Sequence, residues 1–325
     1  MSVAAKNKQR GVALITALLI AALVTVVAVA MASRQQLDMR RTGNMLEADQ
    51  AYLYALAAET WVTQILKEDM QKTQIDTLNE DWAMKLPPLP IEGGVISGSV
   101  EDLQGRFNLN NLVIASGNDA GKPDTVQERI LRSILEQVNF AEENIQIPPS
   151  VPNRVVDWID ANLNSMADGA EDLDYLGLVA PNVPYRTANR LMASPSELAA
   201  IKGLSLADVD ALLPFVAALP ETTPVNINTA PEVMLMSLND DITPRIAKEL
   251  AEYRLDTPFE DVGAVVKKLK DDYNITLDPK LISVSSAYFL LSSDAAIGRT
   301  TLRLYSLLVR KDGKINVLSR GIGSY

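Results

Sequence analysis

The sequence contains no cysteine and no histidine. The first absence excludes disulfides and thiolate metal sites. The second removes the commonest general base and the commonest zinc ligand. Ser/His/Asp catalysis is therefore impossible, and the remaining residues offer no nucleophile–base constellation. Positive charge is also in deficit: 30 Lys and Arg against 41 Asp and Glu give a formal net charge of -11. Binding to a phosphate backbone draws its affinity from clustered cations, so this balance argues against a nucleic-acid partner. Missing cysteine identifies no compartment, and an oxidising one remains open. The 325 residues, 47% of them hydrophobic, suffice for two compact domains and a membrane segment.

What is present begins at the N-terminus. Residues 1 to 11 are polar and basic, with Lys6, Lys8 and Arg10, and an uninterrupted apolar run then extends from Val12 to Ala32. About 20 such residues span a bilayer as a helix. The basic flank predicts a cytoplasmic N-terminus, although Arg34, Arg40 and Arg41 on the far side weaken the asymmetry. Three readings compete: a secretory signal cleaved after Ala30 or Ala32, a plain anchor, and a short leader ending at Gly11. The run is long for a signal-peptide core. Beyond it, Ala51, Ala55, Ala58, Val62, Ile65 and Leu66 recur at helical spacing, so one helix is expected to continue to about Met70.

Thr73 to Gly94 reads as a linker, marked by Pro87, Pro88, Pro90, Gly93 and Gly94. A strand follows from Val95 to Leu103, then a turn at Gln104-Gly105 and a short strand from Arg106 to Leu109. From Asp124 to about Lys280 the pattern is helical, with Ile130, Ile134, Leu135 and Val138 marking one helix and Val155, Val156, Trp158 and Ile159 another. Strands return at Ile282 to Leu291, Thr300 to Arg310 and Ile315 to Arg320, the last two joined by the hairpin signal Asp312-Gly313. A helical insert of roughly 150 residues thus interrupts a strand-rich unit, which is best tolerated in a surface loop of a stable sheet.

Several stretches together resemble the minor pseudopilin K family of type II secretion. They are the basic run ending at Gly11, Asp102-Leu103-Gln104-Gly105-Arg106-Phe107-Asn108-Leu109-Asn110, Val156-Asp157-Trp158-Ile159-Asp160, Gly169-Ala170-Glu171-Asp172, Pro184-Tyr185-Arg186 and Val225-Asn226-Ile227-Asn228-Thr229-Ala230. The resemblance implies an α+β fold: a pilin-like long N-terminal helix with a small antiparallel sheet, interrupted by a large inserted α-helical domain. It divides the chain into a prepilin-type leader (1–11), the transmembrane part of the helix (12–32), the first part of the pilin-like domain (33–112), the α-helical insert (113–280) and the C-terminal strands (281–325). It implies cleavage between Gly11 and Val12 by a prepilin peptidase, N-methylation of Val12, and an inner-membrane anchor with the rest in the periplasm. The implied role is structural, capping or initiating a pseudopilus tip with minor pseudopilins I and J. The fifth residue of the mature chain would be Thr16, where most pilin-like subunits carry a glutamate thought to pair with a neighbour's N-terminal ammonium. Threonine cannot make that pair, a departure the K family shares; taken alone, Thr16 is simply a tolerated membrane residue.

Asp157, Asp160, Asp168, Glu171, Asp172 and Asp174 crowd into one span with no Lys or Arg between Arg154 and Arg186. Crowded carboxylates raise each other's pKa unless a cation is present. An oxygen-rich loop with a glycine, here Gly169, suits Ca²⁺, but the spacing does not match an EF-hand. From the residues alone, a solvated acidic loop is the simpler reading. The resemblance implies structural calcium, held first by Asp160, Glu171 and Asp172, then by Asp168, with Asp157 a helix-face residue.

The alternative function is that of a membrane-anchored DNA-uptake protein. Val225 to Pro231 and a helix from Thr243 to Arg254 resemble a helix-hairpin-helix module, with Thr229 as expected N-cap and Pro231 in the first turn. Its hairpin, Asn239-Asp240-Asp241-Ile242, lacks glycine and carries two carboxylates that would repel phosphate. Ser194 to Pro220, with Gly203, looks like a degenerate copy. Both are expected to serve as packing or protein-binding elements.

Overall fold

The computed structural model describes residues 10–115, 117, 119–142, 144–177 and 183–323. Helix α1 (Arg10–Lys72) runs unbroken through the apolar segment and its amphipathic continuation. Lys6 and Lys8 of the leader lie outside the described residues. The expected helical face is the buried one: Ala51, Ala55, Val62 and Leu66 are nearly inaccessible.

That face lies on a five-stranded antiparallel sheet whose strands, in order across it, are residues 86–91, 94–102, 288–297, 300–311 and 314–322. Its first strand, β1 (Leu86–Ile91), falls inside the stretch expected to be linker. Pro87, Pro88 and Pro90 supply no backbone donors, which confines such a strand to a sheet edge. β1 is indeed an edge, pairing only with β2 (Gly94–Asp102), with an irregularity between Leu86 and Leu89.

The chain then leaves the sheet. Strand β3 (Phe107–Asn108) pairs in parallel with β4 (Val216–Ala217), and β5 (Val225–Asn226) with β6 (Ile282–Ser283). Between them lie α2 (Thr125–Ala141), α3 (Val151–Ile159), α4 (Asp172–Leu176), α5 (Leu206–Leu212), α6 (Glu232–Ser237), α7 (Pro244–Asp256) and α8 (Val262–Tyr273). Asp124 caps α2 by accepting from the amides of Val126 and Gln127. One hydrophobic cluster runs from Phe107 to Ile282 and includes Ile130, Ile134, Leu135, Val138, Val155 and Val156. It draws in Phe107, Leu109 and Leu112, which precede the stretch read as the insert.

The chain returns through β7 (Tyr288–Ile297), β8 (Thr300–Lys311) and β9 (Lys314–Ile322). Both Asp312 (φ 52°) and Gly313 (φ 71°) are left-handed, as the two-residue hairpin requires. The centre of the sheet, in β7 and the second half of β8, is buried on both faces. Phe289, Leu291 and Leu308 meet Val62, Leu66 and Trp82 on one side, while Tyr288, Leu290 and Leu307 meet Leu103, Ala217 and Leu219 on the other. That is why Tyr288 to Leu291 reads as a continuous apolar run rather than an alternating one.

Candidate functional site

Every side chain from residue 12 to residue 42 of α1 is exposed. Among the described residues this is the one helix long and apolar enough to cross a membrane, by length and composition. Gly11 and Val12 both lie within its first turn. The Thr16 hydroxyl donates to the carbonyls of Val12 (3.1 Å) and Ala13 (3.0 Å), so its polar group is satisfied within its own helix.

The acidic loop is built between α3 and α4. Asp157 is not a surface residue of the helix face but fully buried. It accepts from the amides of Met166 (3.0 Å) and Ala170 (2.8 Å) and from the Ser165 hydroxyl (3.3 Å), and so folds the loop around itself. Asp160 ends α3, is buried, and accepts from the Asn162 amide (3.0 Å) and its side-chain nitrogen (2.7 Å). Glu171, also buried, accepts from the Thr187 hydroxyl at 3.2 Å through Oε2, while its Oε1 is buried with no hydrogen-bond partner. Burial raises the carboxyl pKa of all three above the ordinary range, and repulsion from Asp157 acts in the same direction on Asp160 and Glu171.

The other two expected ligands are placed differently. Asp172 is engaged by Arg186 (2.9 Å) and by the Thr187 amide (3.1 Å) and hydroxyl (3.0 Å). Asp168 is exposed, in a left-handed conformation at φ 58°. Asp174 pairs with Lys202 at 2.6 Å. Sequence reasoning missed Asn189, whose amide oxygen is also buried and unpartnered. Its N–H donates to the Trp158 carbonyl (3.0 Å), and it stands two residues after Thr187, the partner of Glu171. The available signal was an asparagine closing the Pro184-Tyr185-Arg186 stretch, since asparagine tolerates the positive φ (45°) found there.

Buried carboxylates with no ion pair among the described residues, and two orphaned oxygens, form the donor chemistry of a hard divalent cation. These residues fit calcium in kind. Among the described residues, however, the acidic triplet whose oxygens all fall within 4.8 Å of one another is a different one: Asp69, Asp76 and Glu80. There Arg310 supplies the counter-charge, bonding Asp76 at 2.8 Å and Asp69 at 3.1 Å.

The remaining sequence motifs are joints. Asn110 donates to the carbonyls of Met192 and Leu219 (both 2.9 Å) and accepts from the Met192 amide (2.9 Å). Asn228 exchanges two bonds with the Phe259 backbone. Thr229 is not the N-cap of α6: Pro231 holds that position, and the Thr229 hydroxyl donates to buried Asp102 at 2.6 Å. In the 239–242 hairpin, the amides of Asp241 and Ile242 are satisfied by Asn239, and Asp240 pairs with Arg129 at 2.7 Å. Two of the hairpin's amides are thus already spent, which weakens the phosphate-binding alternative.

Among the described residues, one apolar helix long enough to span a membrane continues onto a small antiparallel sheet with a large helical excursion between its strands, which is a pilin-like architecture. Family models described as "Type II secretion system (T2SS), protein K" match residues 105–221 and 225–271. The chain is 38% identical to the type II secretion system protein K of Pseudomonas aeruginosa, over 98% of this chain and 94% of the relative. It is 34% identical to the Aeromonas hydrophila protein of the same name, over 97% of each. The fold is similar to a chain in the crystal structure of the GspK-GspI-GspJ complex from the enterotoxigenic Escherichia coli type 2 secretion system. That likeness has a TM-score of 0.72 and 25% identity, covering 88% of this chain and 100% of the other. The chain belongs to the type II secretion system protein K family.

Proposed function

We propose that this chain is a minor pseudopilin, anchored in the inner membrane by α1 with the remainder in the periplasm. A prepilin peptidase cuts it between Gly11 and Val12. It caps or initiates the pseudopilus tip together with minor pseudopilins I and J. The observation that carries the proposal is the uncovered surface of α1. Beyond the apolar segment, Met39, Met45, Leu46 and Leu53 remain exposed while Ala51, Ala55 and Val62 turn to the sheet. An apolar surface this long calls for a bilayer and then for other proteins. The complex named for the structural relative supports I and J as those proteins. Thr16, whose hydroxyl is spent within α1, offers no carboxylate to a subunit ahead of it, which suits a terminal position. The role is structural, neither enzymatic nor nucleic-acid binding.

Calcium completes the acidic loop in this reading. Asp160 and Glu171 would hold it first, with Asp172 and Asp168 as further carboxylates and the unpartnered Asn189 amide oxygen as a neutral candidate. The ion would supply the positive charge that these buried carboxylates lack.

Co-production of the full chain with I and J in membranes, mild detergent extraction and capture through a tag on this chain tests the assembly. All three should be recovered together. Recovery of this chain alone, while I and J pair with each other, would overturn the proposal.

A further inference from the structure

The loop leaving α1 bonds directly to β5 and to the segment that leaves the helical excursion, and through them to Asp102, where the chain enters it. Asp76 donates its amide to the Val284 carbonyl (2.9 Å), accepts the Ser286 amide on Oδ2 (2.7 Å), and offers its carbonyl to the Asn226 side chain (3.0 Å). Asn226 and Ser286 in turn both donate to Asp102, at 2.9 and 2.6 Å. Asp69, Asp76 and Asp102 are all buried, and Glu80 lies within 4.8 Å of the first two. The cation that bonds Asp69 and Asp76 is the half-buried Arg310 of β8, stacked over Phe289 with its Nε unpartnered. Lys72, at the end of α1, is largely exposed and pairs with Asp81. Three buried acids and Glu80 beside one half-buried guanidinium make an unbalanced set, and burial makes the imbalance costly.

We propose that Asp69, Asp76 and Arg310 form a proton-sensitive clamp that fixes the helical excursion to the anchor helix and its sheet. A proton on Asp69 or Asp76 relieves repulsion among Asp69, Asp76, Glu80 and Asp102, and the clamp closes. Loss of that proton leaves excess negative charge in the joint and loosens it. The direction follows from the groups themselves. Burial, with repulsion from Glu80, pushes Asp69 up to about 6 despite Arg310. Burial, with repulsion from Asp102 and Asp69, pushes Asp76 up to about 7 despite Arg310 and the Ser286 amide. Carboxyls with raised folded pKa values contribute stability that is present at low pH and lost as pH rises through those values. The sensitive window therefore runs from about pH 4 to just above about pH 7.

The absence of native cysteine allows a direct test on the full chain in detergent. Spin labels at Lys67→Cys on α1 and Lys248→Cys on α7 report the distance between the two parts. With chelator present, to silence any metal at the acidic loop, the distance distribution should be narrow at about pH 5 and broaden severalfold by about pH 8. Asp69→Asn, which removes one buried charge but keeps the side-chain shape, should hold it narrow at both. Glu80→Gln, chosen in case Asp69→Asn fails to fold, should shift the broadening to higher pH. Distributions unchanged with pH in the native chain, or an unaltered pH response in whichever variant folds, would overturn the clamp.

Discussion

Gly169 passes so close to the Asp157 carboxylate that a β-carbon there would lie 1.9 Å from Oδ2 and 2.9 Å from Cγ. Asp157 cannot retreat without releasing the amides of Met166 and Ala170. The acidic loop is therefore closed by contact, not by a left-handed glycine. Gly169→Ala should destabilise the chain by about 1–3 kcal/mol, the range for forcing a methyl group into packed surroundings. Chemical denaturation checks it, and a midpoint equal to that of the native chain would contradict the contact argument.

Calcium should raise the melting temperature and a chelator should lower it. An ion that binds only the folded form adds about 2.7 kcal/mol at 100 times its Kd. Magnesium should substitute poorly, because it holds its waters and demands tight octahedral geometry. Glu171→Gln and Asp160→Asn should remove most of the response, and Asp172→Asn less, because the Asp172 oxygens already serve Arg186 and Thr187. Without metal, the raised carboxyls of Asp157, Asp160 and Glu171 cost more stability as pH rises. The calcium increment should accordingly grow from acid toward neutral pH. Melting curves indifferent to calcium and chelator alike would leave an ordinary acidic loop.

Glu59 of α1 should behave in the opposite sense. It is buried and accepts from the Ser306 hydroxyl (2.6 Å) and from Arg320 Nε (2.7 Å) and its second nitrogen (2.8 Å). Burial pushes its pKa up, but the bonds from Arg320 and Ser306 outweigh that and hold it below 4.5. Its stabilisation is present above that value and is lost as pH falls through the folded value. Glu59→Gln should cost about 1–3 kcal/mol near neutrality and flatten the acid limb of a denaturation series. An acid limb as steep as the native one would assign that limb to other carboxylates.

The chain recovered from membranes should begin at Val12 and carry an N-methyl group. Intact-mass measurement checks this. A start after Ala30 or Ala32 would remove the anchor and defeat the pseudopilin reading.

Much of this architecture is legible without coordinates, because periodicity records burial. Ala51, Ala55, Val62 and Leu66 announced the buried face of α1, and Asp312-Gly313 announced the last hairpin, since only a narrow set of residues tolerates two consecutive positive φ angles. β1 escaped notice because its prolines carry the signature of a loop, and an edge strand needs only the donors on one side. Thr229 was misplaced for a related reason. A threonine before a helix is a good local cap, but a buried carboxylate 127 positions away makes a stronger claim on its hydroxyl.

The sequence by itself determined the membrane-length apolar helix, the alternation of a strand-rich unit with a helical insert, the acidic span and the absence of cysteine and histidine chemistry, since each depends on composition or short-range spacing. Tertiary structure alone decided which acids are buried, which are paired and which are left without a partner. Asp157 became the organiser of a loop, Asn189 a neighbour of Glu171's partner, and Arg310 the cation that bridges Asp69 and Asp76. The physical reason is that a carboxylate's energy is set by its desolvation and the charges around it. Those come from segments up to 261 residues apart, which no local pattern records.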